Sequence, residues 1–218
     1  MDKLRVSFLC SDASHPVNRA LDQWVEKHLD EYEIEVVRNV ASLGGGDVLF
    51  MISCTEIVTA EYRARYRAAL VLHASDLPLG RGWNPHIWRL LEGGDDIVVS
   101  LLEAEDRVDS GRIWKKMRVE IPRTALWDEI NQRLFDAEFQ LVDFALGHLE
   151  SVQPEPQDPG IEPTYYPRRT PEDSRLDANA SIASQFDQMR VCDPERFPAF
   201  VELHGMKFKL VLERLDDE

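Results

Sequence analysis

Hydrophobic and polar residues alternate along the first half of the chain in blocks that predict strands and helices in turn. Apolar or alternating runs predict strands at residues 4–9, 34–37, 47–52 and 70–73. Pro16 opens a helical pattern between the first two runs, and a short helix containing Tyr62 and Tyr66 leads into the fourth. This order predicts an α/β fold with a mostly parallel, Rossmann-like sheet.

The next segment departs from this regular order. Residues 97–102 and 113–118 predict two strands that flank an acidic turn. Thr124 is a favourable helix N-cap, and apolar residues recur every three or four positions from Leu126 to Leu149. We expect one long helix whose apolar stripe packs on the sheet.

A change of composition divides the chain into a main domain and a small extension. Residues 153–163 are rich in proline and acidic residues and predict a linker between a domain of residues 1–152 and a C-terminal extension of residues 164–218. Residues 200–212 predict a β-hairpin around His204 and Gly205. A lone hairpin is unstable, so we expect it to dock on the main domain, and it is also compatible with a homodimer interface.

Composition indicates a globular cytoplasmic protein. Of 218 residues 44% are hydrophobic and 30% charged, enough for a core and a polar surface. No apolar run approaches the roughly 18 residues of a membrane span, and the first residues lack the apolar stretch of a signal peptide. Cys10, Cys54 and Cys192 match no metal-ligand spacing, so we expect reduced thiols and no metal.

The formal net charge of −15 narrows the class of partner. Nucleic-acid binding depends on cationic surface, so we expect a small-molecule substrate and no nucleic-acid partner. Residues 11–15 replace the glycine-rich turn that a nicotinamide or flavin enzyme carries after its first strand, which argues against those cofactors.

Candidate chemistry lies at the end of the fourth strand. His73 ends that run and precedes a loop rich in proline and glycine, at the strand end where open α/β sheets bind ligands. Val108-Asp109-Ser110-Gly111 supplies a carboxylate in a later turn. Taken alone, His73 could equally be a packing residue and Asp109 a turn former. The ordered combination of both motifs favours a functional site.

These motifs resemble the fingerprint of the folate-dependent formyltransferases, His-x-Ser-x-Leu-Pro-x-x-Arg-Gly followed by Asp-[Thr/Ser]-Gly, carried here by residues 73–82 and 109–111. Residues 166–174 and 196–200 are further similar to the short sugar N-formyltransferases, including those of the pseudaminic-acid type. The chain is also similar to the formylation domains of peptide synthetases and to the catalytic domain of methionyl-tRNA formyltransferases.

The resemblance implies an enzyme that moves a formyl group from N10-formyltetrahydrofolate to a primary amine of an amino sugar or nucleotide-linked amino sugar. It implies that His73 and Asp109 are the catalytic residues and that the catalytic domain is residues 1–152. The residues it implies for the folate slot are Ile52, Ser53, Cys54, Ser75, Leu77, Pro78, Arg81, Gly82, Asp106 and Val108.

The acceptor site is expected near a basic and aromatic cluster in the extension. Aromatic rings can stack on a sugar or base, and guanidinium groups can clamp phosphate. The alternative is a surface network in which the arginines pair with Glu172 and Asp173. The candidate substrate-binding residues are Asn84, Tyr165, Tyr166, Arg168 and Arg169.

One position departs from the family pattern. Val71 stands two residues before His73, where most family members have an asparagine that holds the formyl oxygen. Another polar group, such as Asn84, is a candidate substitute, and the short sugar subgroup is compatible with an apolar residue here. The departure keeps a non-catalytic folate-binding protein open as an alternative.

Other activities of the same class remain open as well. They are methionyl-tRNA formylation, phosphoribosylglycinamide formylation and hydrolysis of the formyl donor. The acidic charge and the short extension disfavour tRNA as the acceptor.

Overall fold

A central sheet organises the protein, and the structure, a computed structural model, describes residues 3–215. The elements in chain order are β1 (Arg5–Leu9), α1 (Val17–His28), β2 (Glu33–Val37), β3 (Gly46–Met51), α2 (Ala60–Arg63), β4 (Tyr66–His73), β5 (Arg81–Gly82), α3 (Pro85–Leu91), β6 (Asp96–Glu103), β7 (Ile113–Glu120), α4 (Trp127–His148), β8 (Tyr165–Tyr166), β9 (Arg175–Leu176), α5 (Phe186–Arg190), β10 (Ala199–Leu203) and β11 (Met206–Leu210). No helix within residues 3–215 is long and apolar enough to cross a membrane.

Six strands form the main sheet in the order β2-β1-β3-β4-β6-β7. The first four are parallel, while β6 runs antiparallel to both β4 and β7. This confirms the predicted Rossmann-like, mostly parallel sheet. From β1 the chain adds β2 on one side of the sheet and then β3 and β4 on the other, so the strand order switches between β1 and β3. Ligands of such sheets bind near that switch point, at the carboxyl ends of the strands.

Two apolar layers cover the sheet. Helices α1, α3 and α4 bury one face, where strand residues such as Phe8 and Phe50 pack on Trp24 and on the long α4 helix. The segment from Val40 to Tyr66 covers part of the other face. Successive strand residues point to opposite faces, so Val71 and His73 of β4 share the face away from α4.

Two local predictions are wrong in detail. Tyr66 begins β4 instead of ending α2, because its backbone pairs with Gly46 and its buried hydroxyl donates to Ser7 Oγ at 3.1 Å. Thr124 is not the cap of α4, which begins three residues later. There the carboxylate of Glu129 accepts the backbone N–H of Leu126 at 2.9 Å and so stabilises the first turn.

The extension packs on the main sheet domain. β8 pairs in parallel with β5, while β9, β10 and β11 form a small sheet that includes the predicted hairpin. Residues 153–163 do not run free in solvent: Glu155 exchanges two backbone hydrogen bonds with Ile113 of β7, at 2.7 and 2.9 Å. The division at residues 152 and 163 stays a prediction.

Candidate active site

His73 and Asp109 meet at one edge of the sheet. Their side chains are buried, and His73 Nδ1 lies 3.5 Å from Asp109 Oδ1. β4 delivers the histidine at its carboxyl end, and the connection between β6 and β7 delivers the aspartate. The structure therefore brings together the two residues that the sequence motifs single out.

Both ring nitrogens of His73 face acceptors. Nε2–H donates to the backbone oxygen of Gly80 at 3.0 Å, which leaves Nδ1 facing Asp109. A neutral imidazole carries one N–H and can serve only one of these acceptors, whereas the cationic ring serves both. The separation of 3.5 Å is longer than a normal hydrogen bond, so a reacting polar group can compete for Nδ1.

The backbone of Asp109 is strained and firmly held. Its φ is +55°, a left-handed conformation that side chains disfavour. The Gly82 N–H donates to Asp109 Oδ2 at 2.9 Å, and the side-chain amide of Gln157 donates to the backbone oxygens of Asp109 and Gly111 at 2.9 and 3.0 Å. These bonds fix the carboxylate against His73.

Glycine is required at two positions around the pair. Gly82 has φ +97°, and a Cβ there would lie 2.5 Å from the backbone oxygen of Tyr166. A Cβ on Gly111 would overlap the backbone oxygen of Glu103. The glycines of both motifs thus allow backbones to approach closely where the loops of the site meet.

Arg81 links the histidine loop to the extension. It is 5% exposed, and it donates to the Tyr165 hydroxyl at 3.2 Å and to Gln157 Oε1 at 2.7 Å. Arg107 donates to the same hydroxyl at 2.5 Å. Hydrogen bonds from Arg81 and Arg107 lower the pKa of Tyr165, since they stabilise its anionic form.

An apolar surface adjoins the pair on the face that carries Val71. Val71, Cys54 and Ala104 are partly buried and pack together on the layer that contains Met51. The buried Ser75 hydroxyl has no hydrogen-bond partner within residues 3–215. Apolar walls of this kind fit one face of a flat heterocycle, such as the pterin of a folate, whereas Ser75 lies next to Gly80 in the histidine loop.

The other residues expected in that slot differ in exposure, and some are buried in the protein whereas others lie at the surface. Ile52 and Leu77 are buried in the protein, while Ser53 has a left-handed backbone with φ +47°. Asp106 is exposed and pairs with Arg63 at 2.5 Å, and Val108 is 53% exposed. Pro78 lines an open cavity together with Arg81, beside the histidine loop.

The expected acceptor residues divide into two groups. Tyr166 and Arg169 have structural partners: the Tyr166 hydroxyl donates to Glu92 Oε2 at 2.7 Å, and Arg169 donates to the oxygen of Asp173 at 2.9 Å. Asn84 and Arg168 are exposed. The Arg168 guanidinium lies 4.9 Å from the centre of the Trp83 ring, a cation–π distance.

Two histidines that lie outside the sequence motifs, and that the sequence predicts as surface or packing residues, lie partly buried near this edge. His15 follows β1, and its Nε2 is 3.4 Å from Ser53 Oγ. Burial, with a contribution from Arg196, lowers the pKa of His15 to about 4. Burial, with smaller electrostatic contributions from neighbouring basic side chains that include Arg169, lowers the pKa of His86 to about 3. Both pKa values lie below 7, so the rings of His15 and His86 are neutral at pH 7.

Sequence reasoning missed these histidines and Gln157. The position of His15 after a strand is the one signal that points to it, because the carboxyl ends of β1 and β4 meet at the same edge. Gln157 carries no signal, since it lies in the proline-rich segment predicted as a linker. Within residues 3–215, no group of three or more histidine, cysteine or acidic side chains is placed to hold a metal ion.

Comparison with known proteins agrees with this geometry. The family model described as formyl transferase matches residues 4–146, which include both motifs. The chain belongs to the formyl transferase family. The match covers the main sheet and most of α4, whereas the extension lies outside it.

Curated relatives of this formyl transferase are longer proteins. It is 28% identical over 200 residues to the methionyl-tRNA formyltransferase of Streptococcus gordonii, covering 88% of this chain and 60% of that protein. It is 30% identical over 212 residues to that of Ruegeria pomeroyi, covering 94% and 69%.

Solved structures share the fold over nearly the whole chain. Methionyl-tRNA formyltransferase from Clostridium thermocellum has a TM-score of 0.82 at 18% identity, covering 98% of this chain and 94% of that one. HypX from Aquifex aeolicus with tetrahydrofolic acid has a TM-score of 0.77 at 19% identity, covering 97% and 38%. A sugar N-formyltransferase from Shewanella sp FDAARGOS_354 has a TM-score of 0.73 at 14% identity, covering 99% of both.

Proposed function

We propose that this protein is an N-formyltransferase that uses N10-formyltetrahydrofolate to formylate a primary amine on a small acceptor, an amino sugar or its nucleotide-linked form. The observation that carries the proposal is the buried pair of His73 and Asp109 in a chain of the formyl transferase family. N10-formyltetrahydrofolate supplies an electrophilic formyl carbon. Cys54, Val71 and Ala104 would form apolar walls of its slot.

The pair supplies the proton transfers that this reaction needs. An attacking amine must lose a proton, which the carboxylate of Asp109 accepts, and the carbonyl oxygen gains negative charge. His73 Nδ1 is the ring nitrogen that can donate to that oxygen, because Nε2 is engaged by Gly80. The proton taken up by Asp109 would then pass to the nitrogen that the formyl group leaves.

Val71 is compatible with catalysis. It forms part of the apolar surface beside His73, so the oxygen-binding role falls to His73 and to backbone donors in place of an asparagine. Burying an imidazole and a carboxylate carries a desolvation penalty, which a protein that only binds folate has no need to maintain. The buried pair therefore supports an enzyme over a binding protein.

The acceptor is assigned from charge and from the exposed groups around the site. A net charge of −15 disfavours tRNA, whereas Asn84 and the Arg168–Trp83 contact offer polar and stacking groups to a sugar or nucleotide. The Shewanella neighbour acts, by its name, on sugars. The second candidate is methionyl-tRNA formylation, which the names of the two curated relatives favour.

The deciding experiment measures tetrahydrofolate release from N10-formyltetrahydrofolate with a panel of amino sugars, nucleotide-linked amino sugars and methionyl-tRNA. We expect release only with a sugar amine, and formylated product in equal amount. Release with methionyl-tRNA alone would show that the acceptor is methionyl-tRNA and not an amino sugar. Release without any amine would indicate a hydrolase, and no release under any condition would indicate a folate-binding protein.

Substitution of the histidine tests the catalytic assignment. We expect His73→Ala to lower kcat by about 1000-fold, because both the oxygen donor and the proton relay are lost. The control is His148→Ala, which removes an exposed histidine at the end of α4. Near-equal kcat values for the two variants, each with native circular dichroism, would exclude His73 from the chemistry.

A further inference from the structure

An arginine-lined cavity lies beside the site, and neither His73 nor Asp109 is among the residues that line it. It has a volume of about 410 Å³ and lies between the connection of β6 to β7 and residues 156–163. Arg81, Arg107 and Arg112 line it, and they outnumber its two carboxylates, Glu105 and Asp158. In a chain with 25 basic and 40 acidic residues, such a concentration of guanidinium groups stands apart.

The deepest of these arginines has unused hydrogen-bonding capacity. Arg81 is 5% exposed, yet its buried Nε has no hydrogen-bond partner within residues 3–215. An unpaired buried donor on a charged group is unfavourable, and an anion in the cavity would offset that cost through its charge. The lowered pKa of Tyr165, whose hydroxyl binds Arg81 and Arg107, also indicates that this region stabilises negative charge.

The remaining walls suit an organic molecule. Four prolines and Ile161 contribute rigid apolar surface. The volume falls within the range of about 300–1,000 Å³ that small-molecule sites occupy. Three guanidinium groups match a phosphate or diphosphate group, because it offers at least three acceptor oxygens and about two negative charges, against two oxygens and one charge for a carboxylate.

We propose that this cavity is a second small-molecule site, separate from the reacting centre, that binds an organic phosphate or diphosphate through Arg81, Arg107 and Arg112. A molecule bound there influences the reacting pair through intervening hydrogen bonds. Arg81 bonds to Gln157 Oε1, and the amide nitrogen of the same Gln157 holds the backbone of Asp109. An anion that binds Arg81 therefore changes the hydrogen bonding of Gln157, and with it the position of the Asp109 backbone.

Binding of uridine diphosphate, measured by isothermal titration calorimetry against uridine, tests the proposal. We expect saturable binding of the diphosphate and none of uridine. Arg112→Ala should weaken binding about tenfold, because one charge-assisted contact is lost. Glu105→Gln should tighten binding, and Arg133→Ala, which removes an exposed arginine of α4, should leave it unchanged.

Four results would overturn the proposal. The first three are the absence of diphosphate binding to the unmodified protein, equal binding by the Arg112→Ala and Arg133→Ala proteins, and complete displacement of the diphosphate by 5-formyltetrahydrofolate. A loss of binding in Arg168→Ala with no loss in Arg112→Ala would place the probe at the acceptor site and also refute it. Because the readout is binding, the result does not depend on the proposed formyl transfer.

Discussion

At the scale of single residues, the amide of Gln157 holds the left-handed backbone of Asp109. It donates to two carbonyl oxygens of the loop and accepts from Arg81, so three hydrogen bonds meet at one side chain. Within residues 3–215, Gln157 makes no hydrogen bond to His73 or to the carboxylate of Asp109, so it is a positioning residue. Its contribution is to geometry, and small errors of geometry strongly slow a reaction.

Removal of this amide should slow formyl transfer without abolishing it. We expect Gln157→Ala to lower kcat by about 10- to 100-fold, with little change in the acceptor KM, because Asp109 is then less well aligned with His73. The measurement is steady-state kinetics of tetrahydrofolate release. The control is Gln153→Ala, an exposed glutamine of the same segment. A kcat for Gln157→Ala that matches this control would show that the Asp109 loop keeps its conformation without the Gln157 amide.

Single residues differ in how far the sequence reveals them. His73 and Asp109 could be predicted because each lies in a motif of fixed order. Gln157 could not be, since an amide in an irregular proline-rich segment has no periodicity and no charge to mark it. The same holds for His86, which is separated from His73 by the loop that both residues border.

At the scale of elements, the short pairing of β5 with β8 determines where the histidine loop sits. Gly82 is its tightest point. We expect Gly82→Ala to destabilise the protein by about 1–3 kcal/mol and to abolish most activity, because both the positive φ and the contact with Tyr166 exclude a Cβ. Denaturant unfolding measures the first effect. Gly147→Ala, at a helical site with nothing within 4 Å, should be neutral or slightly stabilising.

Helix α4 carries a buried carboxyl group that makes stability depend on pH. Desolvation by burial raises the pKa of Glu138 to about 8 from its ordinary value of 4.5. Between these values the folded protein retains a proton that the unfolded chain releases. Stability therefore falls as pH rises through this range, by up to about 1.4 kcal/mol per pH unit.

Glu138→Met should remove this dependence. We expect the variant to gain stability relative to the unmodified protein as pH rises from 5 to 8, since methionine buries no ionisable group. Urea unfolding at pH 5, 6.5 and 8 measures the difference. Glu26→Met on the exposed face of α1 is the control, and a parallel pH profile in all three proteins would show that Glu138 ionises without penalty.

The sequence predicts the strands and helices of the main domain, but it does not predict the residues at which they begin and end. The strands of the main sheet are predictable because nearly continuous apolar runs suit buried parallel strands. Tyr66 is assigned wrongly, since a tyrosine beside a polar segment suits a helix end as well as a strand start. Thr124 is a good cap by type, but the backbone turn from Pro122 to Ala125 delays the start of α4.

At the scale of the whole molecule, Arg190 ties the extension to the main domain. It is 1% exposed, its Nε donates to Asp187 at 2.6 Å, and its Nη1 donates to the oxygens of Pro122 and Ala125 at 3.5 and 3.4 Å. This guanidinium thus joins α5 to the turn that precedes α4. No local pattern in the sequence predicts that contact, because its partners are 65 and 68 residues away.

Loss of this guanidinium should weaken the whole protein. We expect Arg190→Met to lower the free energy of unfolding by about 3 kcal/mol, because the half-exposed carboxylate of Asp187 and two carbonyl groups lose their buried donor. Urea unfolding followed by tryptophan fluorescence measures it. Arg175→Met, which breaks only exposed ion pairs, should change stability by less than about 1 kcal/mol. Equal effects of the two substitutions would contradict the role given to Arg190.

The segment of residues 153–163 shows where composition misleads at this scale. Proline and acidic residues are typical of a flexible connection, yet Glu155 pairs with β7 and Gln157 enters the site. The docking partners are backbone groups of residues 109–113, and backbone groups leave no trace in a sequence pattern. The expected linker is therefore a structural part of the site.

That arrangement sets an order of events during synthesis. The ribosome synthesises His73 and Asp109 before Gln157, whose amide holds the backbone of Asp109. A chain that has completed only the main sheet therefore still lacks this support. Full alignment of the aspartate is reached only when the later segment packs on the earlier ones. The geometry of the site is therefore completed by a segment that is synthesised after both reacting residues.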